Sequence, residues 1–150
     1  MRNFFLDLYE GLFGIGVARY QLIFDHALYY SNGYVHLGLI FILTPLLFTA
    51  LFYFVYTYPY SKYWYWLIAL AVCAVLVFAI TYQHTLNLIF TNTHPELRAA
   101  ISDPSTGYRN FASQLVMQLS IINVFLSIGL FAIYSLVFKQ FSKSQGHLPI

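Results

Sequence analysis

Charge is what this sequence has least of. Lysine and arginine number 7 and aspartate and glutamate 5, together 8% of 150 residues, against about 25% in a soluble globular domain. With 60% of the residues hydrophobic, a water-facing surface cannot be assembled, and a bilayer is the solvent in which such a chain is stable. The formal charge of +2 is scattered, so there is no basic stripe and nucleic acid is excluded as a partner. Cysteine occurs once, which excludes an intramolecular disulfide; among Ala71, Val72, Ala74 and Val75, Cys73 reads as a small buried hydrophobe. Asp7 and Glu10 interrupt the first ten residues, so no cleavable signal is expected. HExxH, a nucleophile elbow and paired catalytic carboxylates are also missing. No catalytic residue, no metal ligand set and no enzyme are expected.

Apolar runs dominate what remains. A span needs roughly 20 mostly apolar residues to cross a hydrocarbon core about 30 Å thick, and three segments qualify: 35–56, 63–90 and 115–138. Thr57-Tyr58-Pro59-Tyr60-Ser61-Lys62 is too short for anything but an antiparallel hairpin turn between the first two. Tyr53, Tyr56, Tyr58, Tyr60, Tyr63, Trp64, Tyr65 and Trp66 crowd that tip, the enrichment expected of an aromatic belt at headgroup level. Pro45, in the middle of the first span, removes a backbone donor and predicts a kink.

The amino-terminal segment differs in kind. Between Glu10 and Asp25 it is too short, and with Arg19 too charged, for a fourth span. At 100° per residue Asp7, Glu10, Gly14, Gln21 and Asp25 fall on one stripe, opposite Phe4, Phe5, Leu8, Leu12, Ile15, Leu22 and Ile23. This predicts an interfacial amphipathic helix whose acidic face turns from anionic lipid toward water or a basic protein surface, making Asp7, Glu10, Gln21 and Asp25 candidate docking residues. In the polar loop 91–110, Thr93-His94-Pro95-Glu96 reads as a hydroxyl cap, a first-turn proline and an early acid. A short helix over 96–101 follows, closed by Asp103-Pro104 and a Ser105-Thr106-Gly107 turn.

The expected fold is therefore an all-α integral membrane protein: an interfacial helix in 1–33, three transmembrane helices in 34–140 and a polar tail at 141–150. Three crossings put every acid on one side, with a net charge of −1, and Lys62, Lys139 and Lys143 on the other, +3. Near the span ends Lys and Arg balance three against three, so the positive-inside rule leaves orientation open. The expected location is a cell inner membrane.

Polar residues inside spans are the sharpest functional pointers. In the third span Ser120, Asn123 and Ser127 share one face and Gln114 and Gln118 another with Gly129, the small and amide side chains that helix association in lipid uses. The span centres hold no ionisable residue, which argues against a pump or an ion-coupled transporter. His36 and His84 fall at span ends that an antiparallel hairpin brings to one interface, with His26 and His94 on the same side. Two such imidazoles suit a haem iron or a quinone headgroup. The leading expectation is a non-catalytic membrane subunit or anchor without a cofactor, docked to other membrane subunits or to copies of itself. A homo-oligomeric, holin-like pore lined by Ser120, Asn123, Ser127 or Gln118 is one alternative, and a redox subunit using His36 and His84 the other.

Overall fold

The computed structural model describes residues 2–13, 20–54 and 63–141. Among these every regular element is helical: α1 (Arg2–Phe13), a π-helical segment (Ile23–Tyr29), α2 (Gly33–Phe54), α3 (Tyr63–Phe90), α4 (Pro95–Ser102), a 3-10 turn (Pro104–Thr106) and α5 (Tyr108–Phe141). Three of the helices, α2, α3 and α5, with 22, 28 and 34 residues, are long and apolar enough to cross a membrane. At 1.5 Å per residue they measure about 33, 42 and 51 Å, each exceeding the hydrocarbon thickness. They are the mark of a multi-pass membrane protein.

The second span is bounded as the composition predicts. The third begins at Tyr108, seven residues before the expected 115, because Arg109, Asn110, Ser113 and Gln114 lower the hydropathy without disturbing helical hydrogen bonding. Its start is set by Gly107, whose φ of 73° is left-handed, a conformation glycine adopts without steric cost. The preceding turn is fastened by Asp103, whose carboxylate accepts from Ser105 N at 2.9 Å and Ser105 Oγ at 2.7 Å. These two bonds hold the Asp103 carboxyl below its ordinary value. In α4 Pro95 takes the first turn as expected, but the cap is His94, without a side-chain hydrogen bond, so the expected hydroxyl cap at Thr93 does not form. Pro45 lies inside an unbroken α2, where the Thr49 hydroxyl donates to the Pro45 carbonyl.

The chain forms two compact units, one from residues 1–38 and 80–120, the other from 39–79 and 121–150. In the first, α1 buries Phe5 and Tyr9 one turn apart. The Phe5 ring lies so close to Gly38 that a Cβ there would sit 2.4 Å from it, and Tyr9 stacks on Tyr34 with ring centroids 6.0 Å apart. Phe5 is therefore covered by protein, whereas Phe4, expected on the same apolar face, is 65% exposed. The stripe drawn through Gln21 and Asp25 also requires correction. Tyr20 is a bend and Ile23–Tyr29 is π-helical, so a uniform 100° step does not apply to those positions.

In the second unit Phe52, Tyr53, Trp66, Cys73, Val77 and Phe131 form the buried cluster. Trp66 Nε1 donates to Ser135 Oγ at 3.0 Å, and its ring meets Phe131 edge to face. The expected aromatic belt thus divides: Trp66 and Tyr53 are core, 7% and 3% exposed, while Tyr63, Trp64 and Tyr65 face outward, Trp64 at 73%. Tyr56, Tyr58 and Tyr60 lie outside the described residues.

Two predictions follow from these local causes. Replacing Gly38 by valine forces the Phe5 ring away and should destabilise the fold by about 1–3 kcal/mol, measured as a lower unfolding midpoint in detergent with faster protease cleavage of α1. Because the folded Asp103 carboxyl is lowered, its contribution is present above the ordinary carboxylate pKa and is lost as pH falls through the folded value. Amide exchange at Ser105, corrected for its intrinsic pH dependence, should lose protection over that window and lack it at all pH in Asp103→Ala.

Candidate functional site

Polar side chains on α5 sort into two kinds. Ser120, Asn123 and Ser127 are all buried, as is Ser135 two turns on. Ser120 Oγ donates to Val116 O at 2.7 Å and Ser127 Oγ to Val124 O at 2.8 Å, so these hydroxyls are satisfied by their own helix. Gln114 and Gln118, by contrast, are exposed, with Met117 exposed beside them. Gly129, in the other unit, is exposed as well, and a Cβ added there would meet nothing within 4 Å. Of the candidate docking residues, Asp7 and Gln21 are exposed and Asp25 is half-buried; the Glu10 side chain lies outside those described.

The four histidines among the described residues, His26, His36, His84 and His94, gather in the first unit. His36 and His84 meet edge to face, ring centroids 5.2 Å apart and planes at 75°. Haem ligation by both would set a flat macrocycle between the imidazoles, whereas these rings pack directly on each other. His84 also lines a cleft of about 280 Å³ with Ser31, Asn87, Thr91, Asn92 and Thr93. Its Nε2 is buried without a hydrogen-bond partner among the described residues.

A second pair is closer. The rings of His26 and His94 stack at 3.6 Å with planes 18° apart, and one donor atom from each lies within 4.8 Å of the other and of a Glu96 oxygen. His26 stands on the π-helical segment, where Tyr30 N reaches back five residues to Asp25 O at 2.8 Å. His94 caps α4, and Glu96 falls in its first turn. Asn92 joins the two: its Nδ2 donates to His26 O at 3.2 Å and Leu88 O at 3.4 Å, and its Oδ1 accepts from His94 N at 2.9 Å. Ser31 Oγ also donates to His26 O, at 2.9 Å.

Sequence spacing reveals no metal ligand set, yet the folded chain places two imidazoles and a carboxylate together. His26 and His94 are 68 positions apart, and they meet where the π-helical segment and the Asn92 bonds join the two stretches of chain. The one local signal is His94-Pro95-Glu96, where proline fixes a helix start and so sets a capping histidine beside a first-turn acid.

Comparison with known proteins supplies no relative: no family model, no curated protein and no solved structure matches the chain significantly.

Replacing Asn92 by leucine removes all three bonds and leaves the part-buried His94 N–H without its acceptor, while His26 O keeps the Ser31 hydroxyl. A loss of about 1–3 kcal/mol is expected, with His94 amide exchange accelerating well before that of the α3 interior.

Proposed function

We infer that the chain is a non-catalytic subunit of a larger membrane assembly, held in the bilayer by α2, α3 and α5. It joins a transmembrane helix of another polypeptide through the exposed amides of α5. The observation that carries this reading is Gln118, exposed within a span. An amide facing hydrocarbon lacks hydrogen-bond partners, and an interhelical bond to a hydroxyl or amide of a neighbour is worth about 0.6–2 kcal/mol. Gln114, one turn earlier and equally exposed, extends the same polar edge. Gly129 adds support: a helix-interior glycine costs about 1 kcal/mol relative to alanine, and nothing among the described residues lies within 4 Å of where a Cβ would sit. Small residues of this kind admit the close approach of a second helix.

Asp7 and Gln21, also exposed, provide polar contacts outside the spans, and α1 lies at the membrane interface with Asp7 toward water. The pore alternative is weakened by the burial of Ser120, Asn123 and Ser127 within the fold, which leaves Gln118 alone among the proposed lining residues on the surface.

The test uses native membranes. Cys73 is buried, so Met117→Cys supplies a single accessible thiol for a photo-crosslinker. A crosslink to a different polypeptide is expected, falling at least about fivefold, a coupling near 1 kcal/mol, when Gln118→Leu is added. Crosslinking only to a second copy, or yields unaffected by Gln118→Leu, overturns the assignment.

A further inference from the structure

We propose that His26, His94 and Glu96 form a binding site for a divalent transition metal of the zinc class. Two imidazoles and a carboxylate are the donors that zinc and neighbouring first-row cations take, and three protein ligands leave a fourth tetrahedral position for water or an outside donor. The three donor atoms already lie within 4.8 Å of one another. Bonds of about 2.0–2.1 Å in a tetrahedral site bring donors to about 3.3 Å apart. Because a metal lies in the plane of each imidazole that binds it, closing that gap requires the stacked rings to turn out of their parallel arrangement and Glu96, exposed on α4, to swing in.

Three further observations set this cluster apart from a chance grouping. His94 Nδ1 is buried without a hydrogen-bond partner among the described residues, although buried polar atoms are nearly always paired. The backbone on both sides is held by one residue, because Asn92 bonds His26 O and His94 N together, which fixes the two chain segments that carry the imidazoles. Finally, His26 stands in a π-helical turn, a rare conformation found frequently at functional sites. Bound metal would tie that segment to the start of α4, and the site is independent of the α5 amides.

The experiment titrates Zn²⁺ into the full chain in detergent, purified without a polyhistidine tag. One ion per chain is expected, with affinity falling at least about tenfold in His26→Ala and in His94→Ala, and falling also in Glu96→Gln. His36→Ala and His84→Ala should bind as the unaltered chain does. Absence of saturable binding overturns the proposal. So does binding unchanged in His26→Ala and His94→Ala, or weakened equally by His36→Ala and His84→Ala. Because a substituted histidine can perturb folding, Cu²⁺ bound to the unaltered chain provides a second reading by electron paramagnetic resonance. Superhyperfine structure from two imidazole nitrogens is expected, and a spectrum without it rejects the site.

Discussion

Shortage of charge is the constraint from which the architecture follows. Where water is excluded, each backbone amide must find its partner within the chain, and a helix achieves this locally for every interior residue. Side chains obey the same rule. Ser120 and Ser127 return their hydroxyl protons to carbonyls three or four residues earlier, Thr49 does so beside Pro45, and Trp66 spends its one donor on Ser135. The bonds of Ser120, Ser127 and Thr49 need no second helix, which explains how apolar elements accommodate these hydroxyls.

Amides behave differently for a geometric reason. A serine Oγ is one bond from Cβ and reaches its own helix backbone easily, whereas the oxygen and nitrogen of a glutamine amide stand three bonds from Cβ and carry both donors and an acceptor. One internal carbonyl cannot satisfy it. The contrast between buried Ser120 and exposed Gln118, two residues apart on α5, therefore separates a residue satisfied within its own helix from one that its own helix does not satisfy. Gly38 and Gly129 make the same contrast among glycines: the space beside the first is filled by Phe5, and none of the described residues fills the space beside the second.

The legible part of the fold was the part governed by composition. Tyr63–Phe90 was read to its ends because polar loop residues, Lys62 before and Thr91-Asn92 after, flank it. The short helix after Pro95 was legible because proline and an early acid carry local meaning. Tyr108–Leu115 was not, since a helix can continue through polar residues that hydropathy excludes. The aromatic belt failed as a single object for another reason. Enrichment rules count rings without assigning faces, and two positions on a helix separate Trp64 from Trp66 by about 200°, enough to send one outward and one into the core. On α5 the sequence sets Ser120, Asn123 and Ser127 on one face and Gln114 and Gln118 on another; the first set is buried and the second exposed, a distinction that depends on tertiary packing.

The sequence sets His26 and His94 on one side, but their direct pairing beside Glu96 is hidden by a change of helical period. Face assignments from sequence assume a constant step per residue, and a π-helical turn, with its five-residue hydrogen bond from Tyr30 to Asp25, inserts an extra residue that rotates everything beyond it. Such turns have poorer intrinsic stability than α-helix and persist where surrounding contacts hold them. Here those contacts are identifiable: His26 O accepts from both Ser31 and Asn92, and Asn92 simultaneously holds the amide of His94. The same bonds that stabilise the unusual turn also bring the two imidazoles face to face. The local distortion and the ligand geometry are therefore one structural event, and a regular α-helix through Asp25 and His26 would remove both together.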